Sequence, residues 1–187
     1  FDIILTGSDR LKKNLINLVP DKMIHITGDS RFDRVLGRKK DAKDGLLPNS
    51  YEKSQTLILG SIESSDYPIL FYGLERYYSN GSEDLVKKNH RLIIVPHEIG
   101  SQNLKRIHLH LSERGFDVVY YSEKDKLKES RVVIINVVGI LADLYKYADL
   151  AYIGEGFNDG IHSVLEPAVY NNAISFGPKY HIVDMAV

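Results

Sequence analysis

The sequence predicts an α/β fold in which a parallel β-sheet carries helices on both faces. From residue 55 onward, short apolar segments alternate with amphipathic segments of about three turns, and the apolar segments show no polar–apolar alternation. Strands that alternate with helices form right-handed βαβ units, which make the strands parallel. Strands that are apolar on two faces fit a sheet covered on both sides. We therefore predict a Rossmann-like sheet.

The composition is typical of a globular protein. Hydrophobic residues make up 43% and charged residues 26% of the 187 residues, and the net charge is −1. So small a charge gives no overall field that draws a protein to nucleic acid, and no nucleic-acid partner is predicted. Cysteine is absent, which excludes disulfides and thiolate metal sites. No apolar run approaches the roughly 18 residues of a membrane span, and both ends fall in strand-like sequence, so we expect a soluble fragment of a longer protein.

The sequence pattern of the first 54 residues predicts two strands, a helix and a linker. The apolar segments 2–6 and 23–27 are the predicted strands. Between them, leucines recur at helical spacing until Pro20, which cannot continue a helix. Residues 37–54 are polar and contain Gly45 and Pro48, a composition typical of a linker or a domain junction.

The remaining chain predicts the sheet and its helices. Strands are predicted at 56–59, 91–95, 117–121, 132–136, 150–154 and 173–176, and helices at 68–78, 104–112, 140–147 and 164–170. Ligands bind beyond the carboxyl ends of parallel strands, so the residues that follow the strands are candidates for one binding edge. They are Gly60, Ser61, Pro96, His97, Glu98 and the segments 136–139 and 154–162.

The segment 151–168 carries the strongest functional signal. It predicts a buried strand, a loop with Gly154 and Gly156, and a helix that begins after His162 and has Glu166 in its first turn. Such a loop suits a phosphate, because free N–H groups point at the anion and glycines let the backbone approach it. Simpler explanations stay open: the glycines fit an ordinary turn, and Glu166 fits a residue that complements the helix dipole.

Two other strand ends carry residues that are candidates for a chemical site. His97 and Glu98 form a pair suited to acid–base chemistry or to a metal. A metal needs more ligands at defined spacing, and no HExxH pattern is present, so no metal site is predicted. Ser61 fits a turn and N-cap or an anion contact, and no GxSxG elbow surrounds it. The absence of a GxxxxGKS loop argues against a P-loop nucleotidase.

Four segments resemble the 3-deoxy-D-manno-octulosonic acid (Kdo) transferases, the GT-B enzymes that add Kdo to lipid A in Gram-negative bacteria. The segments are GDSRFDRV at 28–35, LIIVPHEI at 92–99, VGILADLYKYADLAYIG at 138–154, and GIHSVLEPA at 160–168 followed by FGP at 176–178. They occur in the family's order and with its spacing, which makes the resemblance specific. The likeness is to the Bacteroidetes branch of the family.

The resemblance implies the C-terminal half of a GT-B glycosyltransferase, which binds the donor CMP-Kdo and needs no cofactor or metal for an inverting transfer. Residues 1–38 would end the N-terminal acceptor domain, 39–54 would be the junction, and 55–187 would form a truncated donor domain. Glu166 would hold the ribose, and the backbone near Ser163 and Val164 the phosphate. The donor-binding positions carried over from the family are Ser61, Pro96, His97, Gly139, Gly154, Gly156, His162, Ser163 and Glu166.

The resemblance also sets expectations for the whole enzyme. Its catalytic base would be an acidic residue of the N-terminal domain, so none is assigned in this chain, and the chain alone is expected to be inactive. The acceptor would be a lipid A precursor. The full-length protein would contact the cytoplasmic face of the bacterial inner membrane.

The sequence departs from the family pattern at several positions. Glu155 stands where the family has glycine, and a carboxylate there would repel the donor phosphate unless it turns outward. Ser163 replaces an asparagine but can still cap the helix. Asp66 keeps an acidic position of the family. The other departures are Ile62, Glu63, Val137 and the pair Met185-Ala186.

Two other functions stay open. One is another GT-B nucleotide-sugar enzyme, such as a UDP-sugar transferase or epimerase, which would prefer UDP to CMP. The other is a non-catalytic Rossmann-like module that keeps the fold and has lost its donor site. The departures at Glu155 and Ser163 support this second alternative.

Overall fold

The computed structural model describes residues 1–180 and divides the chain into two units, with the boundary after Ala42. The predicted correspondence at Met185-Ala186 lies outside the described residues. No helix within residues 1–180 is both long enough and apolar enough to span a bilayer.

The first unit contains two parallel strands and two helices. Its elements are β1 (Ile4–Thr6), α1 (Asp9–Leu15), β2 (Ile24–Ile26) and α2 (Ser30–Lys40). Each helix begins at a capping side chain, since Ser8 accepts from the Leu11 N–H at 3.3 Å and Asp29 accepts from the Arg31 N–H at 2.9 Å. These caps satisfy backbone N–H groups at the first turn and fix where each helix begins.

The segment 39–54, which the sequence predicts as a linker, contains the boundary between the two units. Helix α2 continues to Lys40, and the second unit begins at Lys43. Leu47 and Tyr51 are buried in the core of the second unit, and the Tyr51 hydroxyl donates to the Leu127 carbonyl at 3.2 Å. Two apolar side chains inside a polar segment therefore anchor it to the sheet.

The second unit is built on a six-stranded, all-parallel sheet in the order β5-β6-β4-β3-β7-β8. The strands are β3 (Gln55–Ile62), β4 (His90–Pro96), β5 (Val118–Tyr120), β6 (Val132–Ile134), β7 (Leu150–Ile153) and β8 (Ala173–Phe176). The helices are α3 (Tyr67–Tyr77), α4 (Ser82–Lys88), α5 (Ser101–Ser112), α6 (Leu141–Leu144) and α7 (Leu165–Ala168). The predicted fold class is confirmed.

The helices differ most from the prediction. Helix α4 was not predicted, although acidic residues begin it and lysines end it, as the helix dipole favours. The predicted helix 140–147 is a single α-turn followed by a 3₁₀ turn at Tyr145–Tyr147. Helix α7 has only four residues, where 164–170 was predicted. Short helices of this kind depend on tertiary packing, which the sequence pattern does not show.

The sheet has an apolar core on each face. Neighbouring residues of β3 point to opposite sides, so Ile58 belongs to one core and Leu59 to the other, and both are almost fully buried. Ile93 and Ile94 of β4 divide in the same way. This two-sided burial is the physical reason why the strands carry continuous apolar runs.

The strand order creates a switch point between β3 and β7. From β3 the chain crosses to β4 on one side, whereas from β7 it continues to β8 on the other side. Loops that leave in opposite directions open a crevice beyond the carboxyl ends of these two strands, where α/β proteins bind ligands. A bulge at Ser61, which has a φ of 52°, bends the end of β3 at this position.

Candidate functional site

The backbones of β3 and β7 meet closely at the switch point. The Gly154 N–H donates to the Gly60 carbonyl at 2.8 Å. A Cβ at Gly154 would collide with the carbonyl group of Ser61, so only glycine fits here. The structure thus places two of the predicted site residues, Ser61 and Gly154, in direct backbone contact.

Asp66 ties the loops of β3 and β7 together. Its fully buried carboxylate accepts from the N–H groups of Glu63 at 2.8 Å and Glu155 at 3.0 Å, and from the Tyr152 hydroxyl at 2.8 Å. Burial, followed by the bond to Asp66, raises the pKa of Tyr152, so the phenol keeps its proton. The sequence analysis did not assign Asp66 to the site. Its acidic position in the family pattern was the signal that could have found it.

Four side chains with titratable groups gather above this junction. The imidazole rings of His97 and His162 stack with centroids 5.0 Å apart. The Nε2 atom of His162 lies 3.2 Å from Oε2 of Glu155, and Nε2 of His97 lies 3.9 Å from Oε1 of Glu63. The carboxyl group of Glu63 also interacts with that of Glu155, which acts on its pKa. We call these four residues the His-Glu cluster.

The cluster perturbs two of its own members. The hydrogen bond to Glu155, together with burial and the charge of Glu155, raises the pKa of Glu63. Burial, and then the neighbouring His97, lowers the pKa of His162. Perturbed groups at a switch point are typical of functional sites. Neither Glu63 nor Glu155 was a predicted site residue, because their relation to the histidines is not visible along the chain.

A cleft of about 530 Å³ adjoins the cluster. The start of α5 borders it, and the N-cap there, Gly100, has no side chain that could occupy the first amides of the helix. The Arg106 guanidinium lies over the Tyr67 ring, 4.8 Å from its centroid, on the same wall. The lining residues are Ile62, Glu63, Ser64, Tyr67, Glu98, Gly100, Gln102, Asn103 and Arg106.

The amides of the loop after β7 are only partly available to a ligand. The N–H groups of Glu155, Gly160 and Ile161 are used internally, by the Asp66 carboxylate and by the carbonyls of Glu155 and Lys179. The N–H groups of Ser163 and Val164 make no hydrogen bond with any residue among 1–180. Of the loop N–H groups that we expected to bind a phosphate, those of Ser163 and Val164, at the end of the loop, are therefore the ones available. The four-residue helix α7 adds little dipole there.

The remaining predicted positions lie along the same edge of the sheet. Pro96 ends β4 and pairs with Ile62. Gly156 packs against the backbone of Gly177, and the Ser163 hydroxyl accepts from the Leu165 N–H at 3.3 Å. Gly139 follows β6, which β4 separates from β3, and Glu166 lies half-buried in α7.

The paired carboxylates predict a pH-dependent effect of Glu63→Gln. Because the pKa of Glu63 is raised in the folded state, protonation of this carboxyl stabilises the fold. That stabilisation is fully present below the ordinary pKa near 4.5 and is lost as pH rises through the folded pKa. We expect Glu63→Gln to unfold at a higher temperature than the unsubstituted protein at pH 8, and at a similar temperature at pH 4.5. Thermal denaturation in EDTA at both pH values measures this.

The exposed Glu113 supplies the matched control. Glu113→Gln is expected to leave the melting temperature unchanged at both pH values, because its carboxylate is mostly in solvent. His162 titrates in the opposite sense: its lowered pKa removes stability as pH falls below 6.5. The charge of Glu63 partly offsets this lowering of the His162 pKa, so Glu63→Gln also removes that offset. A Glu63→Gln effect of equal size at both pH values would contradict the raised pKa of Glu63 and its coupling to Glu155.

A solved structure shows the class to which this fold belongs. The chain superimposes with a TM-score of 0.57 and 17% identity on the crystal structure of the C-terminal CMP-Kdo binding domain of WaaA from Acinetobacter baumannii, covering 82% of this chain and 75% of that one. The likeness shows that the six-stranded parallel sheet has the fold of that domain.

The curated proteins that this chain resembles include several Kdo transferases. The chain is 27% identical, over 96% of its length, to the 3-deoxy-D-manno-octulosonic acid transferase of Chlamydia muridarum. It is 32% identical, over 53% of its length, to a bifunctional glycosyltransferase/methyltransferase of Fusobacterium nucleatum. No family model matches the chain. The chain is a relative of the Kdo transferases and corresponds to their C-terminal part. It spans 41% of the Chlamydia enzyme and 16% of the Fusobacterium enzyme.

Proposed function

We propose that this chain is the donor-binding part of a glycosyltransferase that moves Kdo from CMP-Kdo to a lipid A precursor. The observation that carries the proposal is the crevice at the β3–β7 switch point. The His-Glu cluster lines it, and it opens into the cleft beside α5. Enzymes of this architecture bind nucleotides at such a crevice.

The end of the loop before α7 is the proposed phosphate contact. The Ser163 and Val164 N–H groups make no hydrogen bond within residues 1–180, so they can donate to phosphate oxygens without breaking a native bond. His162 precedes them and adds a side-chain donor. The half-buried Glu166, one turn further along, is the proposed acceptor for the ribose hydroxyls.

The charges around the cleft favour a ligand with many hydroxyl groups and one localised anion. Glu63 and Glu98 line the cleft, and their carboxylates accept hydrogen bonds from hydroxyls. Arg106 and the start of α5 lie on the same wall and attract negative charge. A sugar nucleotide combines both features, because its sugars carry hydroxyls and its phosphate carries the charge.

The proposal predicts that the chain binds CMP and that Glu166→Ala weakens this binding. Loss of a carboxylate that accepts two ribose hydroxyls is expected to cost about 2 kcal/mol, which corresponds to about thirtyfold in affinity. Isothermal titration with CMP in EDTA measures the effect. Glu113→Ala, an exposed carboxylate on the far end of α5, serves as the control and should leave binding unchanged.

The same titration separates the alternatives. Tighter binding of UDP than of CMP would favour another GT-B nucleotide-sugar enzyme. No binding of CMP or CMP-Kdo at millimolar concentration would favour a non-catalytic module and overturn the proposal. Binding of CMP with an unchanged affinity in Glu166→Ala would refute the assignment of the ribose contact.

The complete transferase needs parts outside this donor domain. We propose that the first unit, residues 1–42, ends the acceptor domain, and that the catalytic base and the lipid A precursor site belong to the rest of that domain. Contact with the cytoplasmic face of the bacterial inner membrane would also come from there. The chain alone is therefore expected to bind donor without transferring Kdo.

A further inference from the structure

The ligand atoms of three side chains converge above the switch point. Those of His97, Glu155 and His162 all lie within 4.8 Å of one another. Zn²⁺ binds nitrogen and oxygen ligands at about 2.0–2.1 Å, so the ligands of a tetrahedral ion are about 3.4 Å apart. The 3.2 Å between His162 Nε2 and Glu155 Oε2 already matches this spacing. His97 is half-exposed, which leaves its ring free to close the remaining distance.

One polar atom of the His-Glu cluster lacks a partner among residues 1–180. The Nε2 atom of His162 is buried and makes no hydrogen bond there, because its short contact with Glu155 lacks hydrogen-bond geometry. A divalent cation would take this nitrogen as a ligand and would neutralise the Glu155 carboxylate beside it.

Glu155 has a backbone conformation that costs conformational free energy. Its φ of 71° lies in the left-handed region, which a residue other than glycine occupies at a cost of about 1–2 kcal/mol. The hydrogen bond from the Glu155 N–H to the Asp66 carboxylate fixes this conformation. A carboxylate in a strained position is thus aimed at two histidines, as expected where a side chain has a ligating role.

We propose that His97, Glu155 and His162 form a site for a divalent transition-metal ion such as Zn²⁺, with Glu63 beside it as a further oxygen ligand. Two imidazoles and a carboxylate are a ligand set that suits Zn²⁺ and Co²⁺. With Glu63 these side chains supply the four ligands of a tetrahedral ion, and the exposed side of His97 leaves the site accessible to solvent. The site depends on these side chains alone, and its use in donor binding rests on the proposed function. The sequence predicted no metal because its ligands come from separate loops.

Titration of the EDTA-dialysed chain with ZnCl₂, in the absence of nucleotide, tests the site. We expect one ion per chain, and a visible absorption typical of tetrahedral coordination when Co²⁺ replaces Zn²⁺. Glu155→Gly and His162→Gln should each weaken Zn²⁺ binding by at least about tenfold and abolish the Co²⁺ band. Glu155→Gly also relieves the positive φ, so it is expected to fold at least as stably as the unsubstituted chain.

His108→Ala is the matched control, because His108 lies on α5 and stacks on Tyr120 away from the cluster. It should leave both readouts unchanged. Zn²⁺ binding that neither Glu155→Gly nor His162→Gln weakens, or no binding at about 100 μM Zn²⁺, would overturn the proposal. The CMP titration is run in EDTA and the Zn²⁺ titration without nucleotide, so failure of one is distinguishable from failure of the other.

Discussion

Asp66→Ala is expected to destabilise the second unit by about 3–5 kcal/mol, the largest effect of any single substitution proposed for this protein. The substitution removes an acceptor used by two backbone N–H groups and by the Tyr152 hydroxyl, all within 3.0 Å. Hydrogen bonds to a charged acceptor contribute about 1.5–3 kcal/mol each, and donors left buried without a partner add to the cost. Urea denaturation followed by far-UV circular dichroism measures the loss.

Two further variants test the physical reason. Asp66→Asn keeps an oxygen for Tyr152 but replaces the acceptor of the Glu63 and Glu155 N–H groups with a donor, so we expect an intermediate loss of about 2–3 kcal/mol. Adding Tyr152→Phe to Asp66→Ala should recover part of the stability, because it removes the unpaired hydroxyl. Asp125→Ala is the control, since Asp125 is exposed.

A loss below about 1 kcal/mol in Asp66→Ala would contradict the role assigned to this carboxylate. A strictly additive double variant would show that Asp66 and Tyr152 do not interact in solution. Because Asp66 fixes the backbone of Glu155, the intermediate variant Asp66→Asn should also weaken Zn²⁺ binding. This links the stability of the junction to the geometry of the proposed site.

Gly154→Ala is expected to cost about 3 kcal/mol or more, because the added Cβ would meet the Ser61 carbonyl carbon and oxygen rather than a movable side chain. Relief requires β3 and β7 to separate where they pair, and that movement would displace the loop that leads to Ser163. We therefore expect weaker CMP binding together with a lower denaturation midpoint. Urea denaturation and CMP titration of the same preparation measure the two effects.

Gly73→Ala is the matched control for this substitution. Gly73 lies within α3, and a Cβ there would meet no atom within 4 Å. Because alanine favours the helix over glycine, Gly73→Ala is expected to stabilise the protein by about 0.5–1 kcal/mol. Equal stability changes in the two variants would refute the close approach of β3 and β7.

The strands of the second unit were predictable because the information for them is local. A run such as Leu92–Val95 is apolar on both faces wherever it occurs in the chain, so its burial between two layers of helices follows from composition and length. The short helices α6 and α7 were less predictable. Tyr145 is almost fully buried beside Gly60, and such packing, rather than helical periodicity, decides where the chain turns.

The sequence indicated the edge of the sheet at which the candidate site lies, but it did not indicate the contacts between the side chains of that site. The segments that end at Gly154 and begin at His162 flank the loop that carries Glu155, and the family resemblance pointed to His97. The sequence did not indicate that Asp66 would use the Glu155 N–H, or that Glu155 would lie against His162. Both contacts depend on how two βα loops face each other across the switch point.

The sequence by itself determined the fold class, the succession of strands and helices, and the relation to the Kdo transferases, because these depend on apolar patterns and on contiguous segments. The tertiary structure alone decided that β7 pairs with β3 and that His97, Glu155 and His162 meet. The physical reason is distance along the chain: β4, β5 and β6 lie between β3 and β7 in the sequence, and only the pairing of β3 with β7 brings the two loops into contact.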